Sequence, residues 1–314
     1  MFYVGIDLGG TSIKAGLVDE NGKIVAKATC PTLVERGAKP VVTDMAKLSL
    51  EVIEKGGTTL DNVKAIGIGL PGIQDPRTGI IPFCTNLYWH EVPVVEWMQE
   101  IIQKPIFVDN DATVAGLAES VAGVSAGVKN SVFLTLGTGV GGGIVLNGKV
   151  CSGTHGVGSE LGHMITVIDG ELCTCGNRGC WERYASATAM IRMGKEAAEK
   201  NHESKLYTDV NGDLDKITAK IVTDAAKMGD PDAMKVFDRY VYHLCVGIVN
   251  IINFIDPEVI VLGGGVSMAG EFLLTKVRAK LPEMVFYKTM PYARVELATL
   301  GNDAGIIGAA MLGR

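Results

Sequence analysis

The 314-residue sequence contains no run of basic residues, and its formal net charge is −6. Nucleic acids and anionic membrane surfaces attract proteins through clustered lysines and arginines. We therefore expect no nucleic acid and no membrane as a partner, and expect a small molecule instead.

The sequence also shows no export signal and no apolar run long enough to cross a membrane. The first ten residues, MFYVGIDLGG, contain no basic residue and include Asp7, a pattern that indicates a first β-strand. The longest apolar region, residues 244–262, is interrupted by two asparagines, an aspartate and a proline. We therefore expect a cytoplasmic protein.

A disulfide framework is missing as well. The seven cysteines are an odd number, and four of them are isolated along the chain: Cys30, Cys84, Cys151 and Cys245. This distribution is typical of reduced, buried thiols.

Glycine is plentiful, with 40 residues against 11 prolines, and the length allows two domains. Residues 2–30 are predicted to form three strands, of which the last two join at Asn21 and Gly22. Aligning Val4 with Val132 reproduces this plan, and the later strand PEVIVLGGG resembles VKAIGIGLPG. Unless two glycine-rich hairpins resemble each other by coincidence, the chain contains two copies of one α/β unit.

Two glycine-rich loops, one in each copy, are candidates for phosphate binding. DLGGTSIK at residues 7–14 and LGTGVGGG at residues 136–143 place glycines and a threonine between adjacent strands. Glycines let backbone N–H groups approach phosphate oxygens, and Asp7 can hold a hydrated Mg²⁺. Either loop alone could be only a turn, whereas together they would clamp a polyphosphate. A third run, residues 263–265, could admit a nucleoside or be a simple strand-to-helix turn.

Asp111 follows Asn110 in VDNDA, between a predicted strand and a predicted helix. An aspartate at such a position often caps the helix. It can also act as a general base for an attacking hydroxyl, with Asn110 orienting that hydroxyl. The two phosphate loops favour the second interpretation.

The segment ELGHMITVIDGELCTCGNRGCWE, residues 160–182, contains a full set of four ligands for tetrahedral zinc: His163, Cys173, Cys175 and Cys180. Four protein ligands leave no position for a catalytic water, so the pattern predicts a structural site. A redox pair is disfavoured because four residues separate Cys175 from Cys180. Incidental thiols are the alternative.

A metal in this segment would also fix nearby hydrogen-bonding side chains. Glu160, His163 and Glu182 would then keep a constant relation to one another, and His163 could bind zinc through one ring nitrogen and donate from the other. The alternative for the two glutamates is simple surface solvation.

The chain resembles the ROK sugar kinases, within the actin/hexokinase-like superfamily. The motifs that carry the resemblance occur in the family's order: DLGGTSIK, GLPG, NLYW, DNDA, LGTGVGGG, GSELGH and CTCGNRGCWE. The resemblance covers essentially the whole chain. It implies an α/β fold of two actin-like (ribonuclease H-like) domains, each with a mixed sheet flanked by helices, and an active site in the interdomain cleft.

The resemblance also implies domain boundaries. The first domain is expected to comprise residues 1–112, joined by the C-terminal helix at about residues 302–314. The second domain, residues 113–301, is expected to carry the zinc loop and additional helices. A homodimer or higher homo-oligomer is expected from the resemblance alone.

By the same resemblance, Asp111 is the catalytic base. The residues expected to bind the sugar hydroxyls are Gly72, Asn86, Asn110, Asp111, Glu160, His163 and Glu182. Those expected to hold ATP are Asp7, Gly9, Gly10, Thr11, Lys14, Thr138, Gly139 and Gly264. Mg²⁺ is expected with ATP, and structural Zn²⁺ is expected on His163, Cys173, Cys175 and Cys180.

The implied activity is ATP- and Mg²⁺-dependent phosphorylation of a hexose. GSELGH and the complete cysteine set are most similar to the glucose-phosphorylating members, so conversion of glucose to glucose 6-phosphate is expected. Kinases for mannose, fructose, allose or N-acetylhexosamines are alternatives, because they share most of the pocket. A sugar-sensing regulator is another alternative. The family's repressors carry an additional N-terminal DNA-binding domain, which is not expected here because the first strand begins at Phe2. A zinc hydrolase would need an open metal position.

Overall fold

The computed structural model describes residues 1–75 and 77–314. Its contacts divide the chain into two compact units. The first unit comprises residues 1–133, 143–159 and 299–314, and the second comprises residues 134–142 and 160–298. Units defined by contacts need not coincide with domains, so the predicted boundary after residue 112 stays a prediction.

The described residues form the following strands and helices, which include the three strands predicted in residues 2–30. The strands are β1 (Phe2–Leu8), β2 (Ser12–Asp19), β3 (Ile24–Pro31), β4 (Val63–Leu70), β5 (Ile81–Cys84), β6 (Trp89–Val92), β7 (Ile106–Asn110), β8 (Ser131–Leu136), β9 (Val140–Leu146), β10 (Lys149–Val150), β11 (Val259–Gly263) and β12 (Arg294–Leu297). The helices are α1 (Ala38–Lys55), α2 (Val94–Gln99), α3 (Asp111–Ala122), α4 (Glu182–Ala185), α5 (Ala187–Lys200), α6 (Lys205–Thr208), α7 (Ala219–Lys227), α8 (Pro231–Ile255), α9 (Glu271–Met284) and α10 (Ala304–Met311).

The two five-stranded sheets have the same strand order, which confirms the predicted repeat. The first runs β3-β2-β1-β4-β7, and the second runs β10-β9-β8-β11-β12. In the first sheet β1 is antiparallel to β2 and parallel to β4, which is parallel to β7. In the second, β9 is antiparallel to β10 and β11 is parallel to β12. Both sheets therefore combine a hairpin side with a parallel side, the mixed arrangement expected.

Helices cover both faces of the first sheet. Val4, Ile6 and Leu8 of β1 pack in one apolar cluster with the buried face of α1. On the other face α10 lies directly on the strand backbones: a Cβ on Gly5 would be 1.9 Å from the Ile306 carbonyl oxygen. Such an approach is possible only without a side chain, which explains the small residues at this contact.

One hairpin and one helix of the first unit escaped prediction from sequence. Strands β5 and β6 form a separate two-stranded sheet, and α2 follows at once. Each strand has four residues, too few for a clear alternation of apolar and polar positions. The connection also contains no glycine that would indicate a turn. Tyr88 adopts the left-handed conformation there, with φ 55°.

The second unit is largely helical beyond its sheet. Its longest helix, α8, begins with Asp230 as N-cap and Pro231 in the first turn, and its last residues belong to the apolar region at residues 244–262. No helix in residues 1–75 and 77–314 combines the length and apolar character that crossing a bilayer requires.

Glu119 of α3 is fully buried and joins α3 to the segment that precedes α10. Its Oε1 accepts hydrogen bonds from the backbone N–H groups of Thr299 and Leu300, at 2.8 and 2.9 Å. Its Oε2 accepts from the Val124 N–H at 2.8 Å and from the Thr299 hydroxyl at 3.1 Å. The two oxygens therefore satisfy four donors, three of them backbone N–H groups.

We predict that Glu119→Gln lowers the free energy of unfolding by at least about 2 kcal/mol, because an amide N–H₂ would face a buried backbone N–H whichever way it is turned. Urea denaturation followed by circular dichroism measures the change. Glu54→Gln, at an exposed position of α1, is the matched control and should change little. Equal stability of the two variants would contradict this account.

Candidate active site

The start of helix α3 separates the roles of Asn110 and Asp111. Asn110 is the N-cap: its Oδ1 accepts a hydrogen bond from the Ala112 N–H at 2.9 Å. Its Nδ2 donates to the Gly72 carbonyl oxygen at 3.4 Å. Asp111 is the first helical residue; its Oδ1 also accepts a hydrogen bond from the Ala112 N–H, at 2.7 Å, and no lysine or arginine pairs with it in the described part of the chain. Asn110 is therefore the cap residue, and the Asp111 carboxylate keeps a second oxygen for chemistry.

The Asp111 side chain reaches solvent, while protein atoms crowd the region around its carboxylate. This reduced hydration raises the pKa of Asp111 above its ordinary value, and the negative charge of Asp7 raises it further. Hydrogen bonding to the Ala112 N–H acts in the opposite direction. A carboxylate with a raised pKa is a stronger base, as proton abstraction from a hydroxyl requires.

Asp7, in the first phosphate loop, forms an ion pair with Lys14, with Nζ 3.2 Å from Oδ2. The loop is held by Thr32, a fully buried residue that sequence reasoning missed. The Thr32 hydroxyl donates to the Gly9 carbonyl oxygen at 2.6 Å, and its N–H donates to the Thr11 carbonyl oxygen at 3.1 Å. These two bonds fix the loop's backbone, whose conformation determines where its N–H groups point.

Asn86 lies beside this loop. It sits on the short helical turn between β5 and β6 and is exposed. A Cβ placed on Gly10 would be 3.4 Å from the Asn86 carbonyl oxygen. A residue expected to hold ATP and one expected to bind sugar are therefore neighbours within the first unit.

The second phosphate loop is fixed by the start of α5. The Ala187 N–H donates to the Gly137 carbonyl oxygen at 2.8 Å, and the Thr188 hydroxyl donates to the Thr138 carbonyl oxygen at 2.7 Å. Thr188 was not predicted, because a hydroxyl that meets a carbonyl fifty residues away leaves no local pattern. Its role parallels that of Thr32 in the first unit.

Gly264 lies against strand β8, next to this second loop. It has φ 82°, and a Cβ there would be 2.6 Å from the Leu136 backbone nitrogen. A cavity of about 370 Å³ adjoins it, lined by α7 and the segment after β11, including Thr223, Lys227 and Met268. A cavity of this volume can hold a small organic ligand.

The four predicted metal ligands lie together in the second unit. Their ligand atoms are all within 4.8 Å of one another. Cys175 Sγ is 3.6 Å from Cys180 Sγ, and Cys173 Sγ is 3.7 Å from His163 Nδ1. Two sulfur ligands of a tetrahedral zinc are about 3.8 Å apart, given Zn–S distances of about 2.3 Å. The donor set therefore fits a tetrahedral metal.

Glu182, at the start of α4, connects this metal cluster with the second phosphate loop. Its Oε1 accepts a hydrogen bond from the Cys173 thiol at 3.1 Å. A Cβ placed on Gly139 would lie 2.4 Å from its other oxygen, Oε2. Glu160 precedes the helical turn at Leu161–His163, and the His163 N–H donates to its carbonyl oxygen at 3.1 Å. Of the predicted sugar-binding residues of the second unit, His163 is thus a member of the metal cluster, Glu182 contacts it, and Glu160 is bonded through its backbone to His163.

Several known proteins similar to this chain are sugar kinases, and xylose repressors are similar to it at 25–27% identity. The ROK family model matches residues 3–314. A glucokinase of Thermotoga maritima is 39% identical over 310 residues, which cover 98% of this chain and 96% of that protein. The structure is similar to a ROK family glucokinase from Streptomyces griseus in complex with glucose and AMPPNP, with a TM-score of 0.81, 35% identity and 99% of both chains covered.

A ROK hexokinase from Thermus thermophilus has a TM-score of 0.85 and 31% identity, with 99% of this chain and 97% of that chain covered. These similarities confirm the predicted actin-like α/β fold. With a family match over nearly every residue and relatives above 30% identity, the chain belongs to the ROK family.

Proposed function

We propose that this protein transfers the γ-phosphoryl group of ATP to the 6-hydroxyl of glucose. One observation supports this reading most directly. In each unit, a glycine of a phosphate loop lies beside a residue expected to bind sugar: Gly10 beside Asn86, and Gly139 beside Glu182. Phosphoryl transfer requires this adjacency, because the acceptor hydroxyl must meet the terminal phosphate directly. The glucokinases among the relatives support the same substrate pair.

Asp111 is the proposed general base. Its carboxylate takes the proton of the sugar hydroxyl, the hydroxyl oxygen bonds to the γ-phosphorus, and the bond from that phosphorus to the β–γ bridging oxygen breaks to release ADP. Asn110 is held by its cap hydrogen bond and by Gly72, so it can orient the same hydroxyl. The raised pKa of Asp111 favours acceptance of this proton.

The other predicted site residues are assigned by role. We propose that Gly72, Asn86, Glu160, His163 and Glu182 bind the sugar hydroxyls. ATP would be held by Asp7, Gly9, Gly10, Thr11, Lys14, Thr138, Gly139 and Gly264. The nucleoside would occupy the cavity between α7 and Gly264. Mg²⁺ bound near Asp7 would neutralise phosphate charge, as a single carboxylate plus phosphate oxygens suits this ion.

We also propose that His163, Cys173, Cys175 and Cys180 hold a structural Zn²⁺. Four protein ligands leave it no role in the chemistry, and it would instead fix the loop that carries Glu160 and His163. His163 Nδ1 faces the thiols, so Nε2 can donate to a sugar oxygen. A homo-oligomer, expected from the family resemblance, and a cytoplasmic location, expected from the sequence, complete the proposal.

We predict that glucose gives the highest kcat/KM with ATP among glucose, mannose, fructose, allose and N-acetylglucosamine. A coupled assay of ADP release measures each rate. A higher value for another hexose would change the substrate but keep the reaction class. Hexose binding without ADP release from any sugar would indicate a sugar-sensing regulator and overturn the proposal.

We predict that Asp111→Asn lowers kcat by at least about 100-fold, because general-base catalysis commonly contributes 10²–10⁴-fold. Glucose affinity, measured by isothermal titration calorimetry, should change little, since the amide keeps the shape of the carboxylate. Asp61→Asn, at an exposed position, is the matched control.

The dependence of kcat/KM on pH is a second test of the role of Asp111. The raised pKa of Asp111 means that kcat/KM of the native enzyme falls as pH decreases through that pKa, where the base becomes protonated. The residual activity of Asp111→Asn should lack this acid limb. An unchanged limb, or a loss of kcat below tenfold, would assign the base elsewhere.

We predict that metal removal weakens glucose binding and thermal stability together, with an affinity loss of about tenfold or more. Chelation and Cys175→Ser, which removes an exposed ligand, should act alike, and Cys30→Ser should act as a control. Bound zinc is measured by atomic absorption and affinity by calorimetry. A folded, zinc-free protein with full glucose affinity would break the link between metal and sugar.

A further inference from the structure

Asp109 is a buried carboxylate directly before Asn110 and Asp111, at the end of β7. Its Oδ1 accepts hydrogen bonds from the Asn110 N–H at 2.7 Å and from Gln74 Nε2 at 2.8 Å. The Ser152 hydroxyl donates to its Oδ2 at 3.1 Å. Sequence reasoning passed over this residue and singled out only its two neighbours.

The partners of Asp109 come from three separate segments of the first unit, and two of these segments carry residues of the proposed site, Gly72 and Asn110. Gln74 lies two positions after Gly72, whose carbonyl accepts from Asn110. Ser152 follows β10, on the stretch that continues to Glu160. The third partner is the Asn110 N–H itself. One carboxylate thus connects Asn110 with the segment that carries Gly72 and with the segment that follows β10.

Asp109 has no compensating cation. Among the described residues no lysine or arginine forms an ion pair with it, and burial raises its pKa despite its hydrogen bonds. The Oε1 atom of Gln74 is also buried without a hydrogen-bond partner in the described part of the chain. A buried polar cluster that is only partly satisfied costs stability compared with apolar packing, so stability alone does not account for it.

We infer that Asp109 is a positioning residue for the phosphoryl transfer proposed above, on which this inference rests. Its carboxylate holds the Asn110–Asp111 turn against the segments at Gln74 and Ser152, and thereby sets where the base carboxylate lies relative to the sugar hydroxyl. A displacement of about 1 Å at such a turn is enough to lower a rate about 100-fold.

The Asp109→Asn variant separates hydrogen-bond positioning from an effect of charge. The amide oxygen can keep the bonds from Asn110 and Gln74, and its N–H₂ can donate to Ser152, whose hydroxyl is able to turn and accept. All three links survive, while the charge is lost. Asp109→Ala removes the links and the charge together.

Steady-state kinetics of both variants, normalised to folded protein, test the inference. Asp109→Asn is expected to keep kcat within about threefold of the native enzyme, because its hydrogen bonds persist. Asp109→Ala is expected to lose kcat by about 30- to 100-fold, with a much smaller change in the KM for ATP. If Asp109→Asn loses as much as Asp109→Ala, a charge effect replaces positioning.

Asp230 provides a matched control. It is equally buried and accepts four hydrogen bonds, from Ser204, Lys205, Asp232 and Ala233, but it caps helix α8 in the second unit, outside the proposed site. Asp230→Ala should lower stability without lowering kcat. If Asp109→Ala affects kcat no more than Asp230→Ala does, Asp109 has only a structural role.

Two further measurements keep the inference testable if Asp109→Ala does not fold or if glucose is not the substrate. Ser152→Ala removes a single side-chain link and should lower kcat by about three- to tenfold. An unchanged kcat would overturn the inference.

Hydrogen exchange does not depend on turnover. The Asn110 and Ala112 amides should exchange at least about tenfold faster in Ser152→Ala and not in Asp230→Ala. If the amides of Ser152→Ala exchange no faster than those of the native protein, the positioning role is refuted. If they do exchange faster but the native protein phosphorylates no sugar, only the proposed reaction is refuted.

Discussion

The hydrogen bond from the Ala112 N–H to Asn110 Oδ1 determines how the rest of the site can work. It assigns the cap of α3 to Asn110 and leaves the Asp111 carboxylate accessible at the first helical position. A helix N-terminus by itself favours the charged form of a carboxylate and so lowers its pKa. Crowding by protein atoms and the charge of Asp7 outweigh this, and the Asp111 pKa rises. In the proposed reaction, the same helix end would therefore supply a fixed amide that orients the hydroxyl and a base of increased strength.

Glycine backbones set the second constraint, because they bring loops closer than any side chain would allow. Gly139 lies so near Glu182 that a single added carbon would overlap the carboxylate, and Gly264 meets the backbone of Leu136 in the same way. Hydroxyls then hold the loops in place: Thr32 binds the first loop's carbonyl groups, and Thr188 binds a carbonyl of the second. Glycine makes these loops flexible in the unfolded chain. In the folded chain tertiary hydrogen bonds fix their backbones.

The sequence was sufficient for features that repeat or that have a local chemical pattern. The duplicated α/β plan and the four-ligand cluster follow from the repeated hairpin and from ligand spacing. Thr32 and Thr188 were missed because their partners are distant in sequence and only the fold brings them together. Asp109 was missed for a different reason. In DND three polar residues follow one another, and nothing local distinguishes Asp109, which is buried, from its two neighbours, which are not.

Glu182 shows how the proposed metal site and the proposed sugar site would be coupled through one carboxylate. In the structure the Cys173 thiol donates to Glu182 Oε1 at 3.1 Å. A cysteine ligates a metal as thiolate, so metal binding requires this proton to leave. Glu182 then loses its donor and faces a negatively charged sulfur, whose charge is reduced by the metal. In the proposed site, a sugar hydroxyl is a favourable new donor for the Glu182 carboxylate. Glu182 is half-buried, and an acceptor shielded from water is costly to leave without a partner. Metal loading would therefore prepare Glu182 to accept from the sugar as well as fix its loop.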